Sequence, residues 1–325
     1  MSKLAGWLHK PGPLAGVMGA LFGDAMGVPH EFKNRAAIPP MSELNLVQQA
    51  SYPKTYPGVP YGTWSDDGSQ LLCVLATLME HNGDCPQGPL ACRLLRWFDE
   101  AYMQAGGRVY DCGSQTARAL CRLKSGTPPD QAGGVDARSN GNGSLMRVLP
   151  VGLALAQWGR SLEDIVTMAM SQSRITHAHP ISQVTCALYA TLVTSVLRAP
   201  PSSWRQAANE AGRWLTQYFL DQSAPMVWHQ ALAKIMDHGC SESCEGSGYV
   251  VDTYWSSIWA LEQARGSYLV AVRAAISLGN DTDTTASVTG GLAGAAYGLN
   301  VPAEWVDQLI MPPEALAALW SLHGD

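Results

Sequence analysis

Apolar and polar positions along the chain recur with a period near 3.6, the mark of helices buried on one face. Leu14 to Gly27 is apolar but for Asp24, with glycines at 16, 19, 23 and 27. That three- and four-residue spacing sets the glycines on one helical face, where a second backbone can approach closely. Glycine costs a helix about 1 kcal/mol relative to alanine, so close packing is the expected compensation. Pro29 closes this helix and Glu31 follows it. Residues 33–62 are rich in Pro, Tyr and Ser and read as a long loop that covers something. A helix is expected from Leu71 to His81. Further helical patterns run over 89–105, 114–124, 144–158, 162–172, 179–198, 203–220, 225–238, 252–264, 267–278 and 284–298, separated by Gly and Pro breakers. No alternating strand pattern stands out, so the expectation is an all-α chain, one multi-helix domain over 1–325 without an internal linker.

Polar residues concentrate where helices begin. Leu278-Gly279-Asn280-Asp281-Thr282-Asp283-Thr284 places two carboxylates and a hydroxyl at i, i+2 and i+3 of a helix mouth. Ser65-Asp66-Asp67 forms a second such mouth, and Glu31 a third acidic point. All-oxygen sets of this kind suit hard cations such as Mg²⁺, Mn²⁺ or Ca²⁺, not zinc. The simpler alternative is a set of unrelated N-caps. Carboxylates gathered in one place would repel strongly unless cations neutralised them. Ser139-Asn140-Gly141-Asn142-Gly143-Ser144 reads as a loop opening into a helix, able to turn N–H groups toward an anion. Asp111 stands just ahead of another helix, with capping as its plainest role. His177 and His179 flank Ala178 before Pro180; nitrogen or sulfur partners for zinc are lacking nearby, so contact with a ligand or a cap is expected.

Composition narrows the choices. With 46% hydrophobic and 15% charged residues, the 325-residue chain can bury a large core. A formal charge of −6 and the lack of a Lys/Arg tract give no electrostatic case for nucleic-acid binding. Cysteines 73, 85, 92, 112, 121, 186, 240 and 244 are scattered, with only Cys240 and Cys244 close together. Buried free thiols in a reducing compartment are the expectation. The longest apolar stretch, Leu14 to Val28, is short and carries Asp24. No membrane span or secretory leader is expected from these features, and a cytoplasmic location is.

The motifs together resemble the ADP-ribosylglycohydrolase family, of the dinitrogenase-reductase-activating glycohydrolase type. They occur in family order from Gly16 to about Leu309: Gly23-Asp24-Ala25-Met26-Gly27 with Glu31, Trp64-Ser65-Asp66-Asp67, Asp111-Cys112-Gly113, Asn142 to Arg147, Thr176-His177, and Leu278 to Thr284. The resemblance implies an orthogonal all-α domain and a centre of two Mg²⁺ or Mn²⁺ ions. By motif match the metal ligands would be Ser65, Asp66, Asp67, Asp281, Asp283 and Thr284, with Ser65 standing where relatives often carry threonine. Catalytic duty would fall to Glu31, Asp66, Asp111 and Asp283. Substrate would meet Ser139, Asn140, Gly141, Asn142, Gly143, Ser144 and His177, and Tyr249 where the family often lines its cleft. The implied reaction is hydrolysis of a ribosyl bond at C1″. The favoured substrate is an ADP-ribose-containing one, an ADP-ribosylated protein, with arginine as the modified side chain because Asp111 is present. Two alternatives stand beside it: hydrolysis of a small N-ribosyl compound such as a nucleoside or an ADP-ribose conjugate, and a non-catalytic, crystallin-like structural role.

Overall fold

A computed structural model describes residues 6, 8–49, 51–239 and 244–322. The α-helices, in chain order, are α1 Pro13–Gly27, α2 Asp66–Glu80, α3 Gln87–Glu100, α4 Ser114–Lys124, α5 Pro129–Ala132, α6 Leu149–Trp158, α7 Leu162–Arg174, α8 Pro180–Arg198, α9 Trp204–Asp221, α10 Met226–His238, α11 Val250–Gln263, α12 Tyr268–Ile276, α13 Thr282–Tyr297, α14 Ala303–Gln308 and α15 Pro313–Ser321. Among the described residues there is no strand. Isolated bridges join Gly134 to His177 and Gly141 to Tyr249.

Helices α1 and α13 form the most extensive helix pair in the fold. Nearly every residue of both is buried. Their closeness follows from the glycine face seen in the sequence. A β-carbon on Gly19 would overlap the Gly290 carbonyl, one on Gly23 the Ala286 carbonyl, and one on Gly27 the backbone of Asp283. The relation is reciprocal, since a β-carbon on Gly290 or Gly294 would strike the carbonyl of Gly19 or Ala15. Residue numbers rise along one helix as they fall along the other, so the pair is antiparallel. The C-terminal end of α1 therefore lies against the N-terminal end of α13. A single 3₁₀ turn, Val28–His30, then carries the chain from Gly27 to Glu31.

Around this pair a continuous apolar cluster runs through α2, α6, α7, α8, α11 and α12. Helix α8 is long and apolar enough to cross a membrane by length and composition, but most of it is buried inside the fold. The segment 33–62 forms short 3₁₀ turns at Arg35–Ala37 and Met41–Glu43, and its other described residues are irregular.

Several expectations change. Helix α2 begins five residues earlier than its apolar run, so Asp66 and Asp67 occupy its first turn. The helix expected over 144–158 begins only at Leu149. Pro150 has no N–H to donate to Met146, and its ring would clash in a helix already under way. Instead the Asn142 carbonyl accepts from both Leu145 and Met146 (2.7 and 3.1 Å), closing a turn. The Gly/Asn loop thus does not sit at a helix N-terminus. Helices α14 and α15 follow the last expected element. Cys73, Cys85 and Cys186 are buried free thiols as anticipated, whereas Cys92 and Cys121 are exposed. Cys240 lies outside the described residues.

The glycine interface sets a clear expectation for stability. Gly19→Ala should cost about 1–3 kcal/mol or more, because neither backbone can yield without displacing its helix. Gly58→Ala, with nothing within 4 Å of the added carbon, should be neutral or stabilise by about 0.4–1 kcal/mol. Urea unfolding of both variants checks this, and equal midpoints would contradict it.

Candidate functional site

The mouth of α2 is built by a buried aspartate on α1. Asp24 accepts the Ser65 N–H on both oxygens (2.9 and 3.1 Å) and the Gly68 N–H (2.8 Å). Burial pushes the Asp24 carboxyl up to about 7, against these lowering bonds. Ser65 is the N-cap residue, its hydroxyl accepting from Asp67 N (3.2 Å). Asp67 Oδ2 in turn accepts from the hydroxyls of Ser65 and Thr284, each at 3.3 Å. The Thr284–Asp67 bond ties the mouth of α13 to the mouth of α2, from positions 217 residues apart.

Asp281 caps nothing with its side chain, although it occupies the N-cap position of α13. Its Oδ2 accepts from Asn142 Nδ2 (2.8 Å), whose other reach is to Thr253 Oγ1 (3.0 Å). Asp111 is likewise not a cap. Helix α4 starts three residues later behind Gly113, and Asp111 Oδ1 accepts from Cys112 N at 2.9 Å. The capping alternative therefore fails at both positions, while Ser65 does cap.

Glu31, Asp111 and Asp283 each bring a carboxylate oxygen within 4.8 Å of the others. Glu31 Oε2 and Asp67 Oδ1 are buried with no hydrogen-bond partner. Burial, then the charges of Asp111 and Asp281, pushes the Glu31 carboxyl up to about 10. Burial also raises Asp66, Asp67 and Asp283 well above the carboxylate range, with the neighbouring acids adding to it. Asp111 is raised for the same first reason. Buried like charges at this spacing require protons or bound cations. The 33–62 segment covers the group from outside: Thr55 Oγ1 donates to the Glu31 carbonyl (2.5 Å), and Tyr56 lies near enough to feel the charges of Glu31, Asp111 and Asp283.

These acids open into a cavity of about 310 Å³. Glu31, Asp66, Asp67, Asp111, Asp281 and Thr284 line it, together with Gly141, Asn142, Gly143, His177 and Gly248. Two arginines, Arg118 and Arg138, share the lining. A cavity holding both a dense acid group and two cations suits a ligand with hydroxyls at one place and anionic groups at another.

The other expected contacts lie outside that lining. Ser139 Oγ donates to Asp136 (2.9 Å), and Asn140 Nδ2 to the Ala137 carbonyl (2.9 Å). Ser144 is fully buried against Ser173 and Cys186. Ser65 faces Asp67, and Asp283 joins the carboxylate group behind the lining. Tyr249 pairs its backbone with Gly141 and sets its ring edge-on to His238, at 6.3 Å between centroids. His179 caps α8, accepting from Ile181 N at 3.2 Å.

Residues that sequence patterning does not pick out hold the parts together. Gln115 Nε2 donates to the Ser139 carbonyl (3.0 Å), and its Oε1 accepts from Gly141 N (3.4 Å), which fixes the glycine loop. Arg147, fully buried, donates to Gln70, to Gln172 twice and to Thr176. Thr176 Oγ1 then meets His177 Nδ1 at 2.8 Å. Asp24 carried a usable signal as the one charge in an apolar helix. Nothing in the sequence separates Arg118 and Arg138 from other surface arginines.

Residues 14–323 match the family model for ADP-ribosylglycohydrolase. The chain is 28% identical over 311 residues to the ADP-ribosylarginine hydrolase Tri1 of Pseudomonas putida, which spans 94% of this chain and 74% of that one. It is 25% identical over 312 residues to the ADP-ribosyl-[dinitrogen reductase] glycohydrolase of Rhodospirillum rubrum, covering 93% and 91% respectively. A solved structure described as an ADP-ribosylglycohydrolase-related protein complex superposes with a TM-score of 0.71, covering 95% of this chain and 96% of that one at 27% identity.

His177 yields a pH test. Burial, then the Arg147 charge, lowers its pKa from 6.5 to about 3. Between those values the unfolded chain binds a proton that the folded chain does not, so stability is lost as pH falls from about 6.5 toward 3. At pH 5 this linkage amounts to about 2 kcal/mol. His177→Gln should therefore shrink the loss of urea midpoint between pH 7 and pH 5. An unchanged loss would mean that the imidazole accepts a proton within the fold.

Proposed function

The chain belongs to the ADP-ribosylglycohydrolase family, and from that membership we propose that it is a metal-dependent glycohydrolase removing ADP-ribose from modified arginine side chains. The observation that carries the reading is the convergence of Glu31, Asp111 and Asp283 within 4.8 Å, beside the linked helix mouths. The unpartnered oxygens of Glu31 and Asp67 fit a bound cation, because buried acceptors with no donor need positive charge. The ligands would be oxygens throughout, from Ser65, Asp66, Asp67, Asp281, Asp283 and Thr284, a set that suits two Mg²⁺ or Mn²⁺ ions. Bound there, such ions would offset the buried negative charge, orient ribose hydroxyls and lower the pKa of water.

The chain's own groups account for the rest. Glu31, Asp66 and Asp111 line the cavity, and any of these carboxylates can take a proton from an attacking water. Negative charge around C1″ favours the positive charge that develops on the ribose ring as its bond to the leaving group breaks. Asp111 lines the same cavity and is the acid we assign to the departing guanidino nitrogen. Arg118 and Arg138 supply cations for a diphosphate, which a nucleoside substrate would leave unpaired. The neutral imidazole of His177 presents a hydrogen-bonding nitrogen to the same space. Arginine is favoured over other linkages because relatives along nearly the whole chain are ADP-ribosylarginine hydrolases.

Release of free ADP-ribose from ADP-ribosylated arginine, with Mg²⁺ or Mn²⁺ and with chelator, tests the reading. Release that stops in chelator and returns with metal is expected. Asp283→Asn should lower turnover by about a hundredfold or more while the circular dichroism spectrum is retained. Full activity in that variant, or in chelator, would overturn the metal assignment.

A further inference from the structure

Phe32 combines features that neither folding nor packing explains. The residue is 69% exposed, yet it lines the acidic cavity directly after Glu31. Its φ is +60°, in the left-handed region that disfavours a bulky residue. Backbone bonds hold it there. Phe32 N donates to the Asn280 carbonyl (2.6 Å), Asn280 N to the Lys33 carbonyl (2.7 Å), and Lys33 N to the His30 carbonyl (3.2 Å). Gly279 presses against the same turn, since a β-carbon there would lie 2.7 Å from Lys33 O and Arg35 N. Strain kept in place this firmly, with an aromatic ring turned outward at a cleft, is typical of a binding surface.

The occupant follows from the chemistry on either side. On the proposed function C1″ of the substrate would lie near the converging Glu31, Asp111 and Asp283, and the leaving group is bonded directly to C1″. The phosphates are drawn away from the acids to Arg118 and Arg138. The ring next to Glu31 therefore meets the leaving group and not the phosphate end. A flat cation beside carboxylates and an aromatic face is favourably placed on both counts.

Resting on the proposed function, we propose that Phe32 is a specificity residue whose ring receives the guanidinium of the arginine leaving group. The test compares Phe32→Leu, Phe32→Gly and Phe32→Tyr. Glycine accepts a φ of +60° freely, so loss of activity in Phe32→Gly with an unchanged or raised Tm is not a folding defect. The expected result is a fall in kcat/KM for ADP-ribosylated arginine of about threefold to thirtyfold in the Leu and Gly variants. Phe32→Tyr should retain the wild-type value. Affinity for ADP-ribose itself, which lacks the leaving group, should stay within about twofold in all three. An unchanged kcat/KM in the Leu and Gly variants would overturn the proposal. So would an equal loss of ADP-ribose affinity, which would seat the ring on adenine. Wild-type protein that releases nothing from arginine fails the proposed function as well, whereas active wild type with indifferent variants fails this inference alone.

Discussion

Backbone contact between α1 and α13 is the constraint from which the site follows. Gly19, Gly23 and Gly27 on one helix, with Gly290 and Gly294 on the other, remove the side chains that would hold the two apart. Because the pair is antiparallel, Gly27 meets Asp283. Glu31 then arrives beside the start of α13 after a single 3₁₀ turn. One acid from the end of a helix and two from the beginning of another are thus brought together by packing that involves no charge. Asp24, on the same helix as the glycines, adds the mouth of α2 by accepting the Ser65 and Gly68 amides.

That arrangement is electrostatically costly. Glu31, Asp66, Asp67 and Asp283 are all buried, and burial resists their ionisation more than any neighbouring charge does. A fold built for stability alone would replace such a group with apolar residues. Its retention at the bottom of an open cavity fits a site that is completed by cations and substrate. Arg147 lies deeper and does different work. Its guanidinium is satisfied by neutral partners on α2, α7 and Thr176, so it locks the turn after the glycine loop and the approach to His177 without competing for the acids.

The segment 33–62 shows how an irregular stretch can be definite. It has little regular structure, yet Thr55 holds the Glu31 backbone and Tyr56 lies within electrostatic reach of Glu31 and Asp111. Its first residues are clamped to Gly279 and Asn280, the turn that leads into α13. The cover and the acidic helix mouth are therefore one assembly, and Phe32 projects from the joint between them.

Much of this was legible in the chain itself. Period-3.6 patterning specified helices, because burial of one face acts on each segment locally. Glycine spacing announced a close helix pair, and the Asp-rich helix mouths announced a gathering of acidic oxygens, because both signals are carried by residue type at short range. What only the tertiary structure decided were matters of direction. Ser139, Asn140 and Ser144 share a loop with Gly141, Asn142 and Gly143, but their side chains are taken by Asp136, the Ala137 carbonyl and Ser173. Asp281 and Asp111 resemble caps in sequence and do not cap, since nothing local reveals that Asn142 will be waiting for the one or that the other will turn into a shared acidic cavity. Arg118, Arg138 and Phe32 gave no sign at all, because a surface arginine or an exposed ring acquires meaning only from the cavity that the rest of the chain closes around it.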